Sequence, residues 1–311
     1  MTFYLGVDGG GTKTEFVAID DSGQVVARAL TGTTYHLQVG LDGAVARLSQ
    51  GIGAVCAQLA VSCSDLGYAF FGLPAFGEDA RIDPLLDAAC GRLLGHDRYQ
   101  CDNDMVCGWA GSLACADGIN LVAGTGSIGY GERQGRKARA GGWGEVFSDE
   151  GSAYWIALRG LNVFTRMSDG RLPIGPLRQG FIDALDLSTD LDICARVMGE
   201  RGMARDEIAA LAPIVSRAAE QGDWEAAAIL EQAATELAGI AQALRRQLAF
   251  GQDETVLLSW SGSILTKLDA VREPFLRTLQ KLAPYELVAP RHDPGMGAAL
   301  YAALLGRSAT R

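Results

Sequence analysis

The chain has 311 residues, more than one ordinary core needs and enough for two domains. Its hydrophobic share of 48% and charged share of 21% are typical of a soluble globular protein. A net charge of −10 argues against a nucleic-acid partner, and no apolar run is long enough to span a bilayer. Any anionic ligand must therefore be held locally, by backbone N–H groups, helix ends or a metal.

The spacing of cysteines and histidines gives no sign of a C-x-x-C motif or of a zinc site. The seven cysteines form no C-x-x-C pair, and the three histidines show no zinc-like spacing. No targeting peptide is apparent, because the N-terminus runs directly into a strand pattern. We therefore expect reduced thiols and a cytoplasmic location.

Three strands joined by tight turns open the chain. They are predicted at Phe3–Val7, Glu15–Ile19 and Val25–Thr31, and this spacing is typical of an antiparallel meander. The next predicted elements are a helix over Gly43–Leu59, a strand over Tyr68–Leu73, a helix over Ile82–Leu94, a strand over Tyr99–Asp102 and a helix over Met105–Cys115.

The same organisation then recurs. Strands are predicted at Ile119–Ala123, Ile128–Glu132 and Ala138–Gly142, with a Gly/Thr/Ser turn after the first of them. The recurrence predicts two similar domains that face each other, with a boundary near Cys115–Ile119. The remaining predicted elements are helices over Ser152–Phe164, Trp224–Phe250 and Asp293–Gly306 and strands over Val256–Leu258 and Glu286–Val288.

A glycine-rich turn follows the first strand, in YLGVDGGGTKTEF (Tyr4–Phe16). Glycine lets backbone N–H groups approach a phosphate without a Cβ in the way, and hydroxyls and a lysine add donors. The candidate phosphate ligands are Gly9, Gly10, Gly11, Thr12, Lys13 and Thr14. Asp8 cannot usefully touch a bare phosphate, but it can hold a Mg²⁺ that bridges phosphates. The alternative is a glycine-rich hairpin without a ligand.

Two later turns make a nucleotide site more attractive. The second turn contains Gly124, Thr125, Gly126 and Ser127, and it follows a strand equivalent to the first strand of the chain. Two such turns in facing domains could grip the two ends of a triphosphate. A third turn, Gly262–Ser263, follows a buried strand and could lie against a nucleoside, although strand-to-helix turns also use glycine for plain geometry.

The motifs GVDGGGTKTEFVAID, VAGTGS and GGWGEVFSDEGSAYWI resemble the N-acetylglucosamine kinase branch of the sugar kinase, heat-shock-70 and actin superfamily. The resemblance implies an α/β fold of two ribonuclease-H-like domains, an actin-like ATPase fold, with ATP in the inter-domain cleft. It implies an N-terminal domain of residues 1–116 completed by a C-terminal helix of residues 293–311, and a second domain of residues 117–292. It also implies Mg²⁺ and a homodimer.

The resemblance further implies roles for individual residues. Asp104 matches the catalytic base that orients a sugar hydroxyl and accepts its proton, in preference to Asp102. Asp149 would accept hydrogen bonds from the sugar. The competing interpretation of both residues is helix capping. The other expected substrate-binding residues are Tyr35, His36, Gly141, Gly142 and Trp143, where Trp143 could instead be core and Tyr35 and His36 could simply pack.

Four alternatives to an N-acetylglucosamine kinase acting on the 6-hydroxyl stay open from the sequence. Glucosamine and N-acetylmuramic acid are competing substrates. An ATPase that activates a 2-hydroxyacyl-CoA dehydratase would need two cysteines per subunit for an iron–sulfur cluster, and no cysteine follows Gly262. A sugar-sensing regulator would need a DNA-binding module, whereas here the core begins at residue 3.

Overall fold

The computed structural model describes residues 1–309, which divide into two compact units. The first unit comprises Met1–Asp117 together with the chain from Ala289 onward, and the second comprises Gly118–Val288. No helix within residues 1–309 combines the length and apolar character that crossing a membrane requires.

The first unit is built on a five-stranded mixed sheet in the order β3-β2-β1-β4-β5. Its strands are β1 (Tyr4–Gly9), β2 (Lys13–Ile19), β3 (Val25–Gly32), β4 (Tyr68–Leu73) and β5 (Tyr99–Asn103). Its helices are α1 (His36–Leu59), α2 (Asp83–Leu94), α3 (Met105–Leu113) and, from the end of the chain, α12 (Pro294–Ala309), with a 3-10 turn at Cys63–Asp65. The first three strands are antiparallel, and β4 and β5 run parallel to β1.

Alternating side chains bury both faces of this sheet. On β4, Phe71 belongs to the apolar cluster that contains Leu48 and Ile52 of α1. The next residue, Phe70, points to the opposite face and contacts the ring of Tyr301 on α12, with centroids 4.9 Å apart. The period of two that is inherent in a strand therefore places α1 on one face of the sheet and α12 on the other.

The second unit repeats this sheet. Its strands are β6 (Gly118–Ala123), β7 (Ser127–Arg133), β8 (Arg136–Gly141), β9 (Val256–Ser261) and β10 (Tyr285–Val288). Its helices are α4 (Ala153–Ser168), α5 (Pro176–Leu185), α6 (Asp192–Met198), α7 (Arg205–Ala209), α8 (Ala212–Glu220), α9 (Trp224–Gln247), α10 (Ser263–Lys267) and α11 (Asp269–Leu282). The order β8-β7-β6-β9-β10 and the strand directions match those of the first sheet.

The shared strand order confirms the predicted ribonuclease-H-like architecture of both halves. Helix α1 begins at His36 rather than at the predicted Gly43, and a left-handed Gly40 with φ +71° interrupts its first turns. The apolar spacing is regular only after that break, which explains the later predicted start. Helices α5 to α8, α10 and α11 were not predicted.

Candidate active site

Two aspartates of the first unit lie at the carboxyl end of its sheet. Asp8 is on β1 and Asp104 directly follows β5, while Gly72 of the intervening β4 pairs with Asp8. A Cβ on residue 72 would lie 3.2 Å from the Cα of Asp104 and 2.2 Å from the Sγ of Cys107. Glycine at this position therefore lets the start of α3, and with it Asp104, settle close to β1.

This arrangement raises the pKa of Asp8 from its ordinary value of 3.8 to about 7. Burial is the main cause, and the negative charge of Asp104 adds to it. A hydrogen bond from the Cys107 thiol acts in the opposite direction, while Glu15 and Asp293 raise the pKa further. Burial and the neighbouring carboxylates disfavour the charged form of Asp8, and a bound cation would relieve both effects.

The raised pKa of Asp8 predicts how stability depends on pH without divalent cations. Between pH 4 and 7 the unfolded chain ionises Asp8 while the folded chain keeps it protonated, so this group lowers stability as pH rises through about 7. We expect Asp8→Asn to raise the free energy of unfolding at pH 8, by up to about 4 kcal/mol, and to change it little at pH 4. Thermal unfolding in EDTA at both pH values measures this, and an equal gain at both would contradict the assignment.

The chemistry of these donors fits a Mg²⁺–nucleotide complex. Mg²⁺ is usually held by one or two carboxylates together with phosphate oxygens and water. Within residues 1–309 no group of three or more His, Cys, Asp or Glu is arranged to hold a metal by itself. Asp8 offers one such carboxylate.

Asp104 does not act as a helix cap. It occupies the N-cap position of α3, but its side chain makes no capping hydrogen bond. Asn103 does so instead, because its Oδ1 accepts the N–H of Met105 at 3.2 Å. The capping alternative weighed from the sequence therefore does not account for Asp104.

The first glycine turn is an exposed bend, and its three glycines differ in how closely the rest of the protein surrounds them. A Cβ on Gly9 would lie 2.7 Å from both Pro74 Cδ and Thr34 Oγ1, so packing within the protein excludes one there. Gly10 donates its N–H to the carbonyl oxygen of Lys13 at 2.8 Å. A Cβ on Gly11 would meet no atom within 4 Å, and the φ of Gly11 is not left-handed. Neither packing nor a left-handed conformation requires glycine at Gly11, so the space beside this residue is open to a ligand.

The threonines of this region divide between exposed and structural positions. Thr12 is exposed, as is Lys13, whereas Thr14 is fully buried. The Oγ1 atoms of Thr14 and Thr34 lie 3.0 Å apart, and Thr14 Oγ1 also accepts the N–H of Thr34 at 3.1 Å. Thr33 donates its hydroxyl to the Gly10 carbonyl oxygen at 2.7 Å. The loop after β3 thus braces the glycine turn, and Thr14 serves that bracing.

Tyr35 and His36 lie at the start of α1, directly after this bracing loop. Tyr35 donates its N–H to Thr33 Oγ1 at 2.9 Å. His36 is buried, its ring meets that of Tyr35 edge-on, and its Nδ1 has no hydrogen-bond partner. A buried nitrogen without a protein partner is costly, and a polar ligand beside His36 would relieve that cost.

In the second unit the two later glycine turns lie against each other. A Cβ on Gly262, whose φ is +89°, would lie 2.3 Å from the Ala123 carbonyl oxygen and 2.8 Å from the N of Gly124. Gly124 donates its N–H to the Gly126 carbonyl oxygen at 2.9 Å, and the hydroxyl of Ser127 donates to the Glu150 carbonyl oxygen at 2.7 Å. The sequence identified both turns, and the structure brings them together.

A cavity of about 550 Å³ opens beside these turns within the second unit. Thr125 and Ser263 line it, so residues from both turns contribute to one space. The rest of its wall comes from α4, α7, α8, α10 and the chain beside them: Ala153, Asp206, Ala209, Ala210, Ala212, Pro213, Ser216, Arg217, Glu220, Ile264, Lys267 and Leu268. The size and the many small apolar side chains suit a nucleoside. The part of this wall that α7 and α8 supply was not predicted, and the small apolar run Ala209–Pro213 is its one signal in the sequence.

Asp149 is buried in the loop before α4 and is paired with a residue that sequence analysis missed. It takes a left-handed φ of +59°, and its Oδ2 pairs with Nη2 of Arg205. Burial raises the pKa of Asp149, while Arg205 and the N–H of Ser127 oppose that effect. Ser152 caps α4 by accepting the N–H of Trp155 at 3.2 Å. The capping alternative for Asp149 is therefore not what the structure shows.

The loop after β8 presents its tryptophan outward. Gly141 and Gly142 have φ of +70° and +67°, and Trp143 is 69% exposed. The Arg139 guanidinium lies 5.7 Å from the Trp143 ring centroid. Trp143 is therefore not a core residue, and the two left-handed glycines shape the bend that presents it.

Two repeated sheets with a glycine turn after the first strand of each define an actin-like ATPase fold. The sequence profile of the BadF/BadG/BcrA/BcrD ATPase family matches residues 5–302, so this chain belongs to that family.

Relatives of known name cover nearly the whole chain. The N-acetyl-D-glucosamine kinase of Dictyostelium discoideum is 28% identical over 314 residues, which cover 96% of this chain and 97% of the relative. The N-acetylmuramic acid/N-acetylglucosamine kinase of Clostridium acetobutylicum is 27% identical over 310 residues, which cover 97% and 98%. A crystal structure of a proposed N-acetylglucosamine kinase from Chromobacterium violaceum matches with a TM-score of 0.69 and 27% identity, covering 98% of this chain and 99% of that chain. The resemblance seen in the sequence motifs is confirmed.

Proposed function

We propose that this protein transfers the terminal phosphate of ATP to a hydroxyl of an amino sugar, with the 6-hydroxyl of N-acetylglucosamine as the first candidate. The observation that carries the proposal is the placement of Asp104 beside Asp8 at the carboxyl end of the first sheet, next to an exposed glycine turn. The names of the relatives support the same substrate class.

In this proposal Asp104 is the general base. A sugar hydroxyl is a weak nucleophile with a high pKa, so a carboxylate within hydrogen-bond reach orients it and accepts its proton as the phosphoryl group transfers. Asp8 holds Mg²⁺, which when bound supplies charge neutralisation on the phosphate oxygens. The nearby charge of Asp104 and the burial of Asp8 favour such a cation at this place.

We extend the proposal to the remaining candidate residues of each unit. We assign the phosphates to Gly9–Lys13 and Gly124–Ser127, with Thr14 as a brace, and the nucleoside to the cavity beside Gly262 and Ser263. We assign the sugar to Asp149, Gly141, Gly142, Trp143, Tyr35 and His36. The orphaned Nδ1 of His36 supports a polar ligand near that residue.

The direct test is an ATP-consumption screen with Mg²⁺ over glucose, glucosamine, N-acetylglucosamine and N-acetylmuramic acid. We expect sugar-dependent ADP formation with N-acetylglucosamine. The 6-deoxy form of that sugar is the matched control, because it keeps the acetamido group and lacks the proposed acceptor. ATP hydrolysis at the same rate with and without every sugar would reject the kinase, and turnover of the 6-deoxy form would reject the 6-hydroxyl.

Gly11→Ala gives a separate test of the first phosphate turn. No atom of the protein lies within 4 Å of the added methyl, so we expect unchanged thermal unfolding. The methyl would press on a bound phosphate, and we expect KM for ATP to rise about tenfold, the equivalent of one lost hydrogen bond to a charged group. Gly53→Ala in α1, where a Cβ also meets nothing within 4 Å, is the control and should leave KM unchanged. An unchanged KM for Gly11→Ala would remove this turn from the site.

We also propose three properties of the protein as a whole. Turnover requires Mg²⁺, the enzyme acts in the cytoplasm, and it forms a homodimer. Activity assays in EDTA with Mg²⁺ restored, and sedimentation of the purified protein, test the first and third. Localisation of a tagged full-length chain tests the second.

A further inference from the structure

Arg205 is a cation with one fixed end and one solvent-accessible end. It is the first residue of α7, and its Nη2 pairs with Asp149 Oδ2 while its Nε lies 3.5 Å from Oε2 of Glu145. The Asp149 side chain is only 4% exposed, whereas 43% of the Arg205 side chain is exposed. The buried carboxylate therefore anchors a guanidinium that still reaches solvent.

The guanidinium lies directly against the second glycine turn. A Cβ on Gly126 would come within 2.4 Å of Arg205 Nη2 and 2.7 Å of Asp149 Oδ2. The turn is joined to the same pair from the other side, because the N–H of Ser127 hydrogen-bonds Asp149. Glycine at 126 thus leaves the space that the ion pair occupies.

Helix α7, which begins with Arg205, forms part of the wall of the 550 Å³ cavity described above, to which we assign the nucleoside. Asp206, Ala209 and Ala210 line that cavity together with Thr125 of the turn and Ser263. Arg205 therefore lies where the cavity wall meets the phosphate turn. A nucleoside in the cavity whose phosphates follow the turn would bring those phosphates within reach of the guanidinium.

We propose that Arg205 binds a phosphate of the nucleotide beyond the α-phosphate, using donors that its two acidic partners leave unused. A guanidinium has five N–H donors in a planar fork that matches phosphate oxygens. In a chain with a net charge of −10, such a local cation gives the phosphates a partner besides backbone N–H groups. This inference rests on the proposed function only in that a nucleotide occupies the second turn.

Calorimetric titration with Mg–ADP and with AMP tests the inference without turnover. AMP lacks the phosphate that we assign to Arg205. We expect Arg205→Gln to weaken ADP binding about tenfold or more and to leave AMP binding nearly unchanged, with Arg205→Lys in between. Arg201→Ala removes an exposed charge four residues earlier and should change neither affinity.

A second variant probes the same contact from the turn. Gly126→Ala should displace the guanidinium and weaken ADP binding, and adding Arg205→Gln should then cause little further loss. Full additivity of the two changes would overturn the inference.

The outcomes separate this inference from the proposed function. Equal weakening of ADP and AMP, or unchanged ADP binding with a raised KM for the sugar, would overturn it, since Arg205 would then only support the cavity or Asp149. Selective loss of ADP binding in an enzyme inactive on every sugar would reject the kinase and keep Arg205 as a phosphate ligand. Wild-type protein that binds neither nucleotide would reject both.

Discussion

Asp104→Asn is expected to lower kcat by about a thousandfold while leaving folding and sugar binding intact. A positioned general base typically contributes between a hundredfold and ten-thousandfold to rate, and asparagine cannot accept the proton. Folding should survive because the Asp104 side chain makes no capping hydrogen bond with α3 and asparagine has the same shape. Steady-state kinetics at saturating ATP and sugar, with thermal unfolding alongside, measure the effect.

Asp102→Asn is the matched control, because it removes the neighbouring carboxylate, which lies on β5 two residues before Asp104. Asp102 Oδ1 accepts the N–H of Asn103 at 2.9 Å, which gives that carboxylate a local structural partner. We expect its kcat to stay within a few-fold of wild type. If Asp102→Asn instead caused the large loss and Asp104→Asn did not, the base would be Asp102.

The first strand of each half and the glycine turn after it could be predicted from the sequence because their signals are local. Each sheet begins with a short apolar strand that a glycine turn ends, and turns of two to five residues connect the next strands. Such patterns need no long-range information. The position of Asp104 after a strand and before a helix was readable for the same reason.

The helices between residues 168 and 224 were not readable because their stabilisation is not local. Helix α7 has five residues and α6 has seven, too few to show a complete apolar stripe. Helices α5 and α8 begin without a side-chain cap hydrogen bond, so a proline in the first turn, Pro176 or Pro213, is the one start signal that each retains. Packing in the second core, rather than propensity, holds these segments in place.

Arg205 illustrates the same limit within the site. Its partner Asp149 is 56 residues away in sequence, and the intervening chain carries no motif that links them. Gly126 was interpreted from its turn as making room for phosphate. The structure adds a reason that sequence cannot show, because the space above Gly126 is taken by the guanidinium.

Among the glycines of residues 1–309, Gly6 has the closest approach of another backbone segment to its Cβ position, in the middle of β1 where α12 crosses the sheet. A Cβ on residue 6 would lie 2.0 Å from the N of Ala299 and 2.4 Å from the C of Ala298, both backbone atoms. No rotamer change can relieve that overlap, so the helix as a whole must move away from the strand.

Gly6→Ala is therefore expected to lower the free energy of unfolding by about 3 kcal/mol or more, the upper part of the range for overpacked cores. Urea unfolding followed by circular dichroism measures it. Gly11→Ala is the matched comparison, since the same methyl five residues later meets no atom within 4 Å and should leave stability unchanged. Ala299→Gly should not rescue Gly6→Ala, because the overlap involves backbone rather than the Ala299 methyl. Wild-type stability of Gly6→Ala, or rescue by Ala299→Gly, would contradict this account of how α12 is docked on β1.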